Sequence, residues 1–289
     1  MKKPKPPKSP IDGKRLNEWT GRFGSYRSGI APLQIQAWLE QFNDAADDRD
    51  VAARILDVVE YYGQQQIRAA FREALAGLPG WHASPAKRQG RWRFAAMSGS
   101  AGESGDSMLH EFRVANQMGM KALNDMFVTR TDLFRAAQLP EDDPNRLGAE
   151  DVVVFVDDFS GTGQQVCTAW EDPEYSFGAL LAGVGTIYLI LVAASRSARK
   201  RIAANTGIQL APAYYLNDGD NVFSEHCKHF SAKDRGRILH YGRKADAKQP
   251  KGFGDCGFVV VFQHGTPNNS IPILHGDGND WTPLFPRHD

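Results

Sequence analysis

Apolar residues recur along this chain in two different periods, and the change between them divides it. Val51, Ile55, Val58, Val59 and Tyr62, followed by Ile67, Phe71, Leu75 and Leu78, return every three or four positions. That spacing predicts one long amphipathic helical stripe. Asp47, Asp48 and Asp50 precede it, where the positive end of a helix dipole favours carboxylates. Pro32 to Phe42 reads as a shorter helix. Leu16, Trp19, Phe23 and Tyr26 have roughly helical spacing, interrupted by Gly21 and Gly24. From Arg91 onward the apolar residues gather into short continuous runs: Arg91–Met97, Val152–Val156, Thr186–Ala194, Ile208–Leu216 and Gly257–Phe262. Continuous runs, as opposed to alternating ones, belong to strands buried on both faces of a parallel sheet. Helices are predicted between them, after Ser107 to about Met118, over Asp132–Gln138 and Gln164–Trp170, after Ser195, and over Val222–Tyr241. A short strand is expected at Met126–Arg130. The pattern as a whole is α/β: a mostly parallel sheet flanked by helices, with an N-terminal helical extension. Residues 1–90 are expected to form a basic arm and that extension, and residues 91–289 the α/β domain.

Composition adds limits. At 289 residues, 42% apolar and 24% charged, the chain is ordinary for a globular protein. Its formal net charge is zero, so no global field draws it to nucleic acid or membrane. The charge is unevenly spread, however. Ser195 to Lys251 holds 12 Lys and Arg against 5 Asp and Glu, while Glu141 to Glu174 holds 10 acids against Arg146 alone. Cys167, Cys227 and Cys256 are too scattered for a zinc ribbon or a disulfide framework. The longest apolar segment, Gly183 to Ala194, is too short to span a bilayer. No signal-peptide pattern opens the chain, so a soluble cytoplasmic protein without a membrane partner is expected. Met1 to Pro10 carries four lysines and four prolines, which suits either a solvated tail or an arm for an anionic partner.

The chemistry concentrates at Asp151 to Gln165, DVVVFVDDFSGTGQQ. A buried strand should end at two adjacent carboxylates, Asp157 and Asp158. Ser160, Gly161, Thr162, Gly163, Gln164 and Gln165 follow, a glycine loop opening a helix. Ligands bind at the carboxyl ends of parallel strands, and loop amides at a helix N-terminus suit phosphate. The carboxylates stand where a ribose diol or a magnesium ion is held, so a phosphorylated sugar is the expected ligand. The alternative is a core strand closed by an acidic turn.

This stretch resembles the phosphoribosyl-pyrophosphate (PRPP) motif of type I phosphoribosyltransferases. The resemblance implies that Asp157 and Asp158 meet the ribose hydroxyls and, indirectly through the ligand, Mg2+. It also implies that Ser160 to Gln165 wrap the 5′-phosphate. Gln165 stands where the family commonly has a small hydroxyl residue. A second strand–loop–helix, at Ser98 to Ser107, then corresponds to the pyrophosphate loop, with Ser98, Gly99, Gly102, Ser104 and Gly105 as its residues. Arg113 and Arg130 are the nearest cations to it.

Three features stay open between two readings. Arg196, Arg199, Lys200 and Arg201 form a basic helix face, either solvated or in contact with nucleic acid. Asn268, Asn269 and Trp281 lie in a proline-rich tail that suits either a base or partner contact or an ordered cover for the sheet. His226, Cys227 and His229 lack a second ligand pair, and no metal site is expected there. The ending GFGDCGFVVVFQHGTPNNSIPILH…WTPLFPR is similar to a subgroup of phosphoribosyltransferase-like proteins in bacterial conflict and antiphage loci, some of them retrons. That similarity implies a toxin effector within a multi-protein complex, partnered by a reverse transcriptase and its RNA/DNA hybrid product. It implies either a phosphoribosyltransferase or related N-glycosidic-bond enzyme, or an inactive module of the same fold that binds nucleic acid or a nucleoprotein.

Overall fold

The computed structural model describes residues 11–29, 31–98, 105–119, 121–278 and 281–287. Its first elements are α1 (Gly13–Phe23), α2 (Ile35–Glu40), α3 (Asp48–Val58), β1 (Glu60–Tyr62) and α4 (Gln64–Ala76). There follow β2 (Trp92–Ala96), α5 (Gly105–Ala115), α6 (Arg130–Ala137), β3 (Val152–Ser160), α7 (Gln164–Glu171) and α8 (Phe177–Leu180). The chain closes with β4 (Thr186–Ser195), α9 (Arg196–Asn205), β5 (Ile208–Leu216), α10 (Ala232–Ala245) and β6 (Val260–Phe262). Contacts divide it into two compact units, Met1–Gly63 with Asp218–Asp289, and Gln64–Asn217. The division falls on either side of a continuous central segment.

The central unit is built on a four-stranded parallel sheet in the order β2-β3-β4-β5. Val153, Phe155, Ile187, Leu189 and Leu191 face one side, where they share a core with Leu133 of α6, Val166 of α7, Phe177 of α8 and Ile202 of α9. The opposite side is aromatic. Phe94 packs on Phe112 of α5 (5.2 Å), Phe112 on Phe71 of α4 (5.7 Å), and Trp92 stacks on Tyr188 (6.3 Å). With both faces covered, Val153 to Val156 are fully buried, each worth roughly 1.5–3 kcal/mol in burial. This is why β3 opens as an unbroken apolar run. At the opposite end of the strand from the acids, Arg91 grips Asp151 (Nη2–Oδ2 2.6 Å). Burial opposes the charge of Asp151, but bonds from the Arg91 side chain and the Gly148 and Arg91 amides outweigh it and hold the carboxyl below its ordinary range.

The other unit joins the two ends of the described chain. β1 pairs parallel with β6, Glu60 opposite Val260 and Tyr62 opposite Phe262. Phe285 meets Phe23 (5.3 Å) and Tyr26 (5.2 Å) edge-on, and the Tyr26 hydroxyl donates to the Pro286 carbonyl at 2.6 Å. The indoles of Trp38 and Trp281 both donate to the Ile273 carbonyl, at 2.9 and 3.1 Å. α10 begins with a capping box, Ser231 with Asp234, and Arg54 of α3 pairs with the same Asp234 at 2.7 Å. Burial works against that carboxylate, yet the Arg54 and Ser231 bonds pull its pKa down to about 2.

Several predicted elements take a different form. The stripe from Val51 to Leu78 is two helices, because Glu60–Tyr62 leaves the helical path to pair with β6. The helix expected over Val222–Tyr241 begins only at Ala232. Asn221 Oδ1 accepts the Phe223 amide and Ser224 Oγ the His226 amide, short-range bonds that compete with a helix. Met126–Arg130 contributes a single bridge, Phe127 to Phe94, rather than a strand. The Gly257–Phe262 run forms a regular strand only over its last three residues. Among the described residues no helix is long and apolar enough to cross a membrane.

Candidate functional site

The register of the central sheet creates the site. β2 accompanies β3 only as far as Ala96 beside Val156, after which the Met97 amide makes one more bond to the Val156 carbonyl. β4 continues alongside β3 to Ala194 beside Ser160. Asp157 to Ser160 therefore extend past the last paired residue of β2 while still running beside β4. On the β2 side the chain passes Ser98 into residues 99–104, which lie outside the described residues. A carboxyl-terminal notch of this kind is where ligands meet parallel sheets.

Asp157 is buried, and its Oδ1 accepts the Asp158 amide at 3.0 Å. Asp158 is half-buried. The loop then turns through Gly161 and Gly163. Gly163 takes φ +72° and caps α7, a left-handed conformation that suits glycine. Thr162 Oγ1 accepts the Gln164 amide at 3.2 Å, securing the first turn of α7, while Gln164 and Gln165 are exposed.

What holds this loop is α9, and that part was not foreseen. Ser195 caps α9 by accepting the Ala198 amide at 2.8 Å, and its hydroxyl also donates to the Gly161 carbonyl. A Cβ on Gly163 would stand 3.0 Å from the Ala198 carbonyl oxygen and 3.1 Å from Ile202 Cγ1. The loop is thus seated directly on the α9 backbone. The one available signal was a serine ending an apolar run three residues before an alanine, which marks a cap but not its second bond.

Beside the notch, Ser98 is buried, and its Oγ has no hydrogen-bond partner among the described residues. Gly105 opens α5 so close to it that a Cβ would lie 2.2 Å from Ser98 Oγ. Gly99, Gly102 and Ser104 lie outside the described residues. Arg130 Nη1 donates to the Met97 carbonyl at 3.2 Å, which brings a cation to the start of this loop. Arg113 Nε donates to the Met118 carbonyl at 3.2 Å, and its guanidinium lies over the Phe127 ring. Among the described residues no three His, Cys, Asp or Glu side chains converge as a metal cage. The paired carboxylates offer hard oxygen donors, the kind that suit magnesium when substrate phosphates and water complete its shell.

Asn268, Asn269 and Trp281 belong to the other unit. Asn269 Nδ2 donates to the Phe253 carbonyl at 3.0 Å, and the Asn268 carbonyl accepts the Phe253 amide at 2.7 Å. Trp281 is buried between Phe42 (5.1 Å) and Tyr241 (5.9 Å), so its ring faces are occupied by core aromatics rather than offered to a base. Arg196, Arg199, Lys200 and Arg201 are exposed on α9. Arg196 donates to Asn217 Oδ1, and the guanidiniums of Arg196 and Arg199 each lie 5.4 Å from the centre of the Tyr215 ring.

Compared with models of known protein families, residues 35–287 match the family described as PRTase-CE. No curated protein matches the chain.

Proposed function

Because the chain belongs to the PRTase-CE family and is a phosphoribosyltransferase-like protein, we propose that the notch at Asp157–Gln165 binds PRPP or a closely related ribose phosphate. The observation that carries this reading is the overhang of β3 beyond β2. It leaves two carboxylates and a glycine loop at an open strand end, with the loop held on α9.

In this reading Asp157 and Asp158 accept hydrogen bonds from the ribose 2′- and 3′-hydroxyls. The loop amides from Ser160 to Gln164 and the N-terminus of α7 receive the 5′-phosphate. The loop from Ser98 to Gly105, with Arg130 at its root, receives the pyrophosphate. A magnesium ion arriving with the ligand would be held near Asp157 and Asp158 and would neutralise phosphate charge. The reaction that fits is displacement at the anomeric carbon: the C1′–oxygen bond to pyrophosphate breaks as a bond to the acceptor forms, or the corresponding N-glycosidic bond is cut. For such oxocarbenium-like chemistry the protein's part is mainly positioning and charge stabilisation. Extending the ending's similarity to conflict-locus proteins, we place this activity in an antiphage effector. It would be held in a complex with a reverse transcriptase and its RNA/DNA hybrid, and become toxic on release.

Isothermal titration with PRPP and magnesium tests the binding step. Saturable binding that is lost in the Asp157→Asn, Asp158→Asn variant, with an unchanged melting temperature, is expected. Absence of binding to PRPP, nucleotides and ribose 5-phosphate by the wild-type protein would sink the proposal.

A further inference from the structure

We infer that α9 and the end of β5 form a binding strip for single-stranded nucleic acid, a function separate from the ribose-phosphate notch and not dependent on it. The first ground is charge placement. α9 carries Arg196, Arg199, Lys200 and Arg201 and no acid. Three of these cations lie in the first five residues, at the positive end of the helix dipole, where a cation is disfavoured. Ser195 already caps the helix, so they do not serve its termination.

The second ground is the lack of compensation. Elsewhere in the structure arginines meet carboxylates: Arg15 with Asp57, Arg54 with Asp234, Arg68 with Glu111, Arg91 with Asp151 and Arg237 with Asp48. Among the described residues none of the four α9 cations makes an ion pair, although 10 acids lie between Glu141 and Glu174 of the same unit. Uncompensated cations set against the local dipole are the mark of an external polyanion.

The third ground selects the polyanion. The Arg196 and Arg199 guanidiniums each lie 5.4 Å from the centre of the Tyr215 ring, and Arg196 is further fixed by Asn217. Ordered planar guanidiniums bind phosphates bidentately and present a stacking face to an unpaired base. Arg196 and Lys200 lie about one helical turn apart, about 6 Å along the axis, which gives a row rather than a point. A membrane surface fits less well, because the large apolar residue of α9, Ile202, is buried with Ala198, and only the small Ala203 and Ala204 are exposed. An acidic protein would not call for the stacked aromatic arrangement.

Fluorescence anisotropy with labelled 20-nucleotide dT and rU strands and the full chain tests this. Binding should weaken with salt along a log–log slope of about −2 to −3, the value for three or four neutralised phosphates on a single strand. The Arg199→Glu, Lys200→Glu, Arg201→Glu variant should lose at least tenfold in affinity and most of that slope, at an unchanged melting temperature. Tyr215→Leu should lose affinity at constant slope. The Asp157→Asn, Asp158→Asn variant should bind the strands normally, which keeps this inference distinct from the notch. Three results would overturn it: no binding, full binding by the charge-reversed protein, or binding to heparin or anionic vesicles as tight as to the strands. Should charge reversal unfold the protein, the neutral Arg199→Gln, Lys200→Gln pair provides the same comparison.

Discussion

Ser195 and Gly161 are joined by a hydrogen bond from the serine hydroxyl to the glycine carbonyl. A serine hydroxyl has one hydrogen, so the 2.8 Å contact between Ser195 and Ser197 must be donated by Ser197. One side chain thus ends β4, starts α9 and fixes the Gly161–Gly163 loop. Ser195→Ala should cost about 1–2 kcal/mol through the lost cap, with a further loss from the unpaired Gly161 carbonyl. Urea denaturation would measure that loss, and ribose-phosphate affinity should fall with it. A variant with wild-type stability would mean the bond carries no load.

Gly163→Ala tests the seat of the loop from the other side. A Cβ must accept φ +72° and crowd the Ala198 carbonyl. The left-handed conformation alone disfavours alanine by about 1–2 kcal/mol. The expected result is a destabilised protein with weakened phosphate binding.

Replacing both acids of the notch removes charge-assisted bonds worth about 1.5–3 kcal/mol each. Ribose-phosphate affinity should therefore fall at least about tenfold, read by titration calorimetry. Retained affinity would reassign Asp157 and Asp158 to closing the strand.

His275 gives a pH dependence. Burial pushes its imidazole down to about 4 from the usual 6.5. It lies 3.1 Å from the Ser270 carbonyl, an acceptor, so the neutral ring must carry its hydrogen on Nε2. Because the folded value is depressed, the unfolded chain binds more protons between the two values. Stability from this group is complete above about pH 6.5 and is lost as pH falls toward 4. Chemical denaturation at pH 7 and pH 4.5 should differ by a few kcal/mol, and His275→Gln should flatten the difference. An identical pH profile in that variant would remove His275 as its source.

Trp281→Ala should destabilise the protein by about 3–5 kcal/mol, as large-to-small core changes do. Trp281→Phe should be milder and leave ligand binding intact. Loss of binding without loss of stability would instead return Trp281 to a role in recognition.

How legible these features were in the sequence follows from how local their causes are. β3, its two acids and the glycine loop were readable because a strand buried on both faces needs a continuous apolar run. The overhang beyond β2 was not, since it depends on where Met97 stops pairing. β1 was hidden because Glu60, Tyr61 and Tyr62 fit a helical stripe and become a strand only beside Val260–Phe262. The late start of α10 was written in the sequence: Ser231 and Asp234 form a capping box. The tail was read for its polar and aromatic chemistry, but Trp281 and Phe285 complete a core whose other half lies more than two hundred residues earlier.

That last arrangement sets an order on biosynthesis. The segment Gln64–Asn217 is uninterrupted and can assemble its sheet as it leaves the ribosome. Phe23, Tyr26, Trp38 and Phe42 emerge first but wait for Tyr241, Ile273, Trp281 and Phe285. At about 5–20 residues per second the delay is on the order of ten seconds or more. Throughout it these aromatic side chains lack the residues that cover them in the folded unit.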